Sequence, residues 1–128
     1  MTMPSNLCSS ELTAAERSPL ESLDAYRVAR EVVALVAGQR TRLRGLPGEA
    51  GTQLERAAVS AFLNVAEAAG RQGARDRARI FAIARGEACE ATAALEVAML
   101  FGALTAEQAA PARALLERLT RMLSRLAR

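Results

Sequence analysis

The stretch "AFLNVAEAAGRQGARDRARIFAIARGEACE", residues 61–90, decides the fold. Apolar residues recur at helical spacing on both sides of Gly70 and Gly73, which reads as two helices joined by a tight turn. So short a connection makes the two helices antiparallel. The same stretch sets Asn64, Glu67, Arg79, Glu87 and Glu90 among small and apolar residues. Polar groups in that setting form a catalytic constellation, a metal site, a contact surface for a partner, or a packed network that fixes the pairing of two helices.

Working outward, the helix before the turn covers residues 52–69, with Leu54, Ala58, Phe62, Val65 and Ala66 on its apolar side. The helix after it begins near Ala74, directs Ile80, Phe81, Ile83, Ala84, Ala88, Ala91, Leu95 and Met99 inward, and ends at Gly102. Upstream, Leu23, Tyr26, Val33 and Val36 mark a first helix from about Pro19 to Arg42, which "RGLPGEAG" (44–51) terminates. Downstream, Thr105 and Gln108 have the spacing of a capping box, with Leu104 at the staple position. Pro111, six residues past that cap, is expected to kink or break the first turn. Beyond it Leu116, Leu119, Leu123 and Leu126 recur on one face, while Arg118, Arg121, Arg125 and Arg128 repeat the spacing two positions later. Two residues on a helix are roughly 200° apart, so leucine and arginine occupy opposite faces.

The expected architecture is all-α, an up-down-up-down antiparallel four-helix bundle over residues 19–128, preceded by a disordered N-terminal tail over residues 1–18. Composition agrees: among 128 residues, 51% are hydrophobic and only 3% aromatic, so the core is built from Ala, Leu and Val. One domain fits this length. The two cysteines, Cys8 and Cys89, have no metal-ligand or redox spacing, and the chain contains no His. That argues against zinc fingers, Ser-His-Asp triads and Glu-x-x-His di-iron sites, and no cofactor or metal is expected. Cys89, between Ala88 and Ala91, reads as a small buried hydrophobe. The first ten residues lack the basic end and apolar run of a signal peptide, and the longest apolar segment, 91–104, is too short to span a membrane. A cytoplasmic protein with no membrane association is expected.

All 17 basic residues are Arg, against 14 acids, for a net charge of +3. Arg presents a planar fork of donors that matches carboxylate or phosphate, although a compositional bias toward Arg and Ala produces the same count. The topology adds position to number. It puts the turn at 70–73 and the last residues at one end, so Arg71, Arg75, Arg77 and Arg79 should join Arg121, Arg125 and Arg128 in one positive pole, with Asp76, Glu21 and Asp24 neutralising part of it.

Ser60, Asn64, Glu67 and Arg71 form one ridge along the second helix. Pairing about the turn sets Glu67 opposite Arg79, and Ser60 opposite Arg85 or Gly86. A buried Glu67–Arg79 pair would fix register, and losing its Glu would cost roughly 2 to 4 kcal/mol. Gly86, unfavourable inside a helix by about 1 kcal/mol, is explained if two backbones approach closely there. Ser60, Asn64, Glu67, Arg79, Arg85, Gly86 and Glu90 together are read as a structural polar network.

"QLERAAVSAFLNVAEAAGR" (53–71) followed by "RIFAIARGEACEATAALEVA" (79–98) resembles the four-helix bundle proteins first known from intervening sequences within bacterial 23S ribosomal RNA genes. The Ser-x-x-x-Asn-Val-Ala-Glu core, Ser60 to Glu67, and Ala84-Arg85-Gly86 carry the likeness. Ala68 stands where the family usually has Gly, and Glu87 where it usually has Ser. The resemblance implies an up-down bundle, a ring-like homopentamer and no enzymatic activity. A more distant similarity to the accessory variability proteins of diversity-generating retroelements implies RNA and a reverse transcriptase as partners.

The leading expectation is a non-enzymatic oligomeric module that binds structured RNA through Arg71, Arg75, Arg77, Arg118, Arg121, Arg125 and Arg128. Few aromatics are present to stack on bases, which disfavours base-specific single-strand recognition. Self-association is expected also from apolar breadth at Leu95, Met99, Phe101, Leu115 and Met122. The alternative is a protein-interaction scaffold with solvated Arg faces. An enzyme using Glu87 and Glu90 ranks behind both, because no nucleophile or cofactor motif accompanies them and no catalytic residue is assigned.

Overall fold

A computed structural model describes the backbone from Ala14 to Arg128, and side chains from Leu20 onward. The elements are α1 (Ala14–Gly38), a single turn α2 (Arg40–Leu43), a 3-10 turn (Pro47–Glu49), α3 (Ala50–Ala69), α4 (Ala74–Leu100) and α5 (Ala106–Leu126). No strand occurs among the described residues. Both α1 and α4 pack against α3 and α5, so the four long helices form an antiparallel bundle with α3 and α5 at opposite corners. Cys8 and residues 1–13 of the expected tail lie outside the described residues, while α1 begins at Ala14, inside the stretch expected to be tail.

Each helix ends for a local reason. Gln39 interrupts the first helix, with only α2 continuing to Leu43, so that helix stops short of Arg42. Glu49 then enters α3 from the left-handed region at φ 60°. Gly51 is a close backbone approach: a Cβ there would lie 2.5 Å from the Leu43 carbonyl oxygen. At the end of α4, Gly102 turns left-handed at φ 76°. This lets the Ala103 amide reach Ala98 O at 2.9 Å and the Gly102 amide reach Met99 O at 3.0 Å.

The capping box of α5 is formed in both directions, Gln108 N to Thr105 Oγ1 at 3.1 Å and Thr105 N to Gln108 Oε1 at 2.9 Å. Leu104 is buried beside it. The break expected at Pro111 does not occur; α5 runs through it from Ala106 to Leu126. The proline removes the bond that position 111 would give to the Glu107 carbonyl, just past a first turn held by the capping box, and is itself exposed.

The core is largely alanine. Ala57, Ala61 and Ala68 of α3 and Ala84, Ala88 and Ala91 of α4 are at most 1% exposed, with Leu54, Val65, Phe81, Leu116, Leu119 and Leu123 filling the volume between helices. This small-residue interior corrects three expectations. The inward face of α1 is Ala25, Val28, Ala29, Val32 and Val36, and the larger Leu23 and Tyr26 are turned outward. Ile83 is exposed, with Ile80 and Ala84 taking the inward positions. Cys89 is exposed rather than buried, since Ala88 and Ala91 point inward in its place. Of the apolar breadth on α4 and α5, Leu95 and Met122 are buried, Met99 and Leu115 pack against the core, and Phe101 alone is exposed.

Gly51→Ala should destabilise the bundle by about 1 to 3 kcal/mol, because the new methyl meets backbone rather than a yielding side chain. Denaturant midpoints measure it; an unchanged midpoint would mean that the α2–α3 approach is not tight.

Candidate nucleic-acid interface

The register along the hairpin is as expected, but its polar contacts are not. Arg56 of α3 pairs with Glu90 of α4, the register that also sets Glu67 level with Arg79. Yet Glu67 accepts from Arg71, four residues on and just past the end of α3, at 2.7 Å, and Arg79 pairs with Asp76 of its own helix at 3.0 Å. No Glu67–Arg79 bond forms, and the Arg79 side chain is 62% exposed. Long side chains at a solvated edge reach an opposite charge three or four residues along the chain, so the pair is neither interhelical nor buried.

Arg71 sits at the centre of this end. It holds Glu67 and also Asp76 at 3.2 Å. Its guanidinium pKa is raised above its ordinary value, first by the hydrogen bond to Glu67 and then by the charge of Asp76. Arg77 donates to the Arg71 and Gln72 carbonyls at 3.1 and 2.6 Å, satisfying backbone acceptors just beyond α3. Of the turn arginines, only Arg75 has no bonded partner among the described residues.

The rest of the expected network divides between two sides of α4. Asn64 donates to Ser60 O at 2.9 Å and Ser60 Oγ at 3.3 Å, within α3. Arg85 turns the other way and donates to Ser124 of α5 at 2.7 Å, so it does not face Ser60. Gly86 is exposed, and an added Cβ would meet nothing within 4 Å; close packing does not explain it. Glu87 Oε2 is buried without a hydrogen-bond partner among the described residues, while Glu90 is engaged with Arg56.

The leucine-arginine division of α5 is present. Leu116, Leu119 and Leu123 are fully buried and Leu126 packs against them, while Arg118, Arg121, Arg125 and Arg128 are exposed. The guanidinium of none of these four has a hydrogen-bond or ion-pair partner among the described residues. Unpartnered guanidiniums at steps of three and four residues are spaced roughly 5 to 6 Å apart along the axis, forming a stripe about 15 Å long.

This stripe approaches the turn arginines only at its C-terminal end, where Arg128 comes within about one helical turn of the levels of Arg79 and Arg77. Arg113–Glu96 and Arg85–Ser124 share a register that sets Arg128 level with Phe81 and Arg118 level with Ala91. Arg128 therefore stops roughly 9 Å, and Arg118 roughly 24 Å, short of the level of Arg75. The positive surface is a side of the bundle, with Arg71, Arg77 and Arg79 internally bonded at the end. Arg27, Arg30 and Arg44 are also exposed and unpartnered among the described residues, which sequence reading missed because pairing depends on interhelical register.

The 23S rRNA-intervening sequence protein family matches the chain over residues 21–125, and the chain belongs to that family. No curated protein matches it. No described helix is long and apolar enough to cross a membrane.

Because Glu67 and Arg79 are both exposed and bonded elsewhere, Glu67→Ala should change stability by no more than about 0.5 kcal/mol and be additive with Arg79→Leu. A coupling energy well above that in a double-mutant cycle would restore the buried pair. Gly86→Ala should stabilise by about 0.5 to 1 kcal/mol, as expected where open space surrounds a helical glycine. A lowered thermal midpoint would show that the site is constrained.

Proposed function

We propose that this chain is a non-enzymatic, self-associating module that binds structured RNA through the arginine stripe of α5. The observation that carries the reading is the run of four exposed arginines, whose guanidiniums have no partner among the described residues, backed by buried leucines that hold the helix in place. The family description, which names 23S rRNA, is compatible with RNA as the polyanion. An exposed guanidinium row releases counterions from phosphates without burying any charge of its own.

The stripe also favours backbone over base contacts. Tyr26 packs against Phe62 on the opposite side of the bundle, leaving no aromatic platform on the α5 arginine face. Helical structure and 2′-hydroxyls of an RNA duplex are then recognised mainly by shape and phosphate position. Self-association, a homopentamer on the family resemblance, multiplies the number of phosphates engaged at once. A cytoplasmic location accords with this role, and a reverse transcriptase-type protein is a further partner that the resemblance suggests.

The triple variant Arg121→Gln, Arg125→Gln, Arg128→Gln should keep stability within about 0.5 kcal/mol per site. Its affinity for a structured RNA should fall, and the slope of log K against log salt should become shallower by roughly one unit for each phosphate no longer neutralised in each engaged subunit. Filter-binding titrations read both quantities. Unchanged affinity and slope would reject the α5 stripe and leave a protein-interaction scaffold.

A further inference from the structure

The α1–α3 side of the bundle carries apolar surface that the core does not use. On α1 the row Tyr26, Arg30, Val33, Ala37 is turned to α3: the Tyr26 ring stands 5.0 Å from that of Phe62, and Val33 and Ala37 share a groove with Ala58 and Val59. Leu23 and Tyr26 on one wall and Val59 and Leu63 on the other are exposed, Leu63 at 58%. From Leu23 to Ala37 this face runs roughly 20 Å, at about 1.5 Å per helical residue. A contiguous apolar face of this kind marks an interaction surface.

Its shape and its charges indicate the occupant. The groove holds about 230 Å³, below the roughly 300 to 1,000 Å³ of small-molecule pockets, and the depression of about 590 Å³ beside it is lined by α3 residues alone, so neither encloses a free ligand. A long, shallow apolar track between two helices fits a third helix. Along the α4 edge of α3 the arginines are closed, Arg56 on Glu90 and Arg71 on Glu67, and Arg40 is closed on Glu55 at one end of the groove. Arg30, in the row turned to α3, and Arg27, three residues before it, are exposed, and their guanidiniums have no partner among the described residues. The α1 acids Asp24 and Glu31 fall in the row of Leu35, which lines a cavity with Pro111 and Ala112 on the α5 side, and leave the groove edge positive.

From this geometry we infer that the α1–α3 groove docks an acidic amphipathic helix of a partner protein. Apolar side chains of that helix at i, i+4 and i+7 lie against Val33, Val59 and Leu63, and two carboxylates on one flank, three or four residues apart, meet Arg30 and Arg27. The aliphatic lining favours protein over nucleic acid, because Leu, Val and Ala give bases no stacking platform and the Tyr26 ring is already engaged with Phe62. The inference goes beyond the RNA reading and does not rest on it: α3 lies at the corner opposite α5, so the arginine stripe is outside this groove.

Tyr26 supplies a direct readout, being the only Tyr in a chain without Trp. A phage-displayed library of random peptides of about sixteen residues, long enough to cover the face, is selected on the protein. The enriched peptide, synthesised without Tyr or Trp, is then titrated against Tyr26 emission. Enriched sequences should carry Leu, Ile or Phe at helical spacing with Asp or Glu on one flank, and binding should shift the emission. Arg30→Glu should weaken binding on the order of tenfold, and changing the facing carboxylate of the peptide to Lys should restore it. Val59→Glu should abolish binding with an unchanged helical spectrum, since Val59 is exposed. Enrichment of no such pattern, or a peptide indifferent to both variants, would overturn the inference. A structured RNA that shifts Tyr26 emission, and ceases to do so in the double variant Arg27→Gln, Arg30→Gln, would overturn it as well and make this face a phosphate surface. Dissociation of an assembly by Val59→Glu alone would assign the face to copies of the chain and equally reject a partner helix.

Discussion

The close packing of α3 on α4 is the constraint on which the remainder of this bundle depends. Alanines buried on both helices bring the two axes near each other, and what the alanines do not fill is closed by Leu54, Val65, Ile80 and Phe81. With the inner positions given to small residues, larger apolar groups such as Leu63 and Ile83 are left on the rim. The same packing fixes the register, seen in Arg56–Glu90, and through it the height of every polar side chain on the hairpin. The polar groups follow from that seam and do not create it: Glu67, Arg71, Asp76 and Arg79 are solvated and bonded locally. Exposed pairs of this kind contribute about 0 to 1 kcal/mol each, whereas burying one aliphatic side chain contributes roughly 1.5 to 3 kcal/mol.

A second consequence is the separation of faces. The rim of α3 carries internally closed ion pairs around an apolar centre, and the rim of α5 carries open arginines over a leucine core. Diagonal helices in a four-helix bundle point their outer surfaces in opposite directions, so the two faces do not compete. A net charge of only +3 therefore conceals a strongly positive side. Under the proposed function, the α5 side presents guanidinium groups to phosphate.

The fold was legible because its signals are local. Gly70 and Gly73 end and begin helices, Thr105 and Gln108 form their capping box, and the Leu116–Leu119–Leu123 row is buried as its spacing requires. The candidate site was legible in part. The composition of the α5 stripe follows from spacing alone, but its distance from Arg75 depends on how α4 and α5 slide past each other, which only the interhelical contacts at Glu96 and Ser124 reveal. Glu67 and Arg79 were level as expected and still did not pair, because each is taken by a neighbour three or four residues along the chain, Arg71 and Asp76. In α1, size misled: Leu23 and Tyr26 are the larger apolar groups, yet Ala25 and Ala29 are the ones a close-packed interior admits. Gly86 has no close neighbour that accounts for it.

The central claim is that the open arginines of α5, and not the bonded arginines of the hairpin end, meet the polyanion. Mass-spectrometric mapping of phenylglyoxal labelling, with and without a structured RNA, tests it most directly. RNA should protect Arg118, Arg121, Arg125 and Arg128 while leaving the labelling of the bonded Arg71, Arg77 and Arg79 unchanged. Protection confined to the hairpin arginines, with α5 labelled equally in both conditions, would contradict the account.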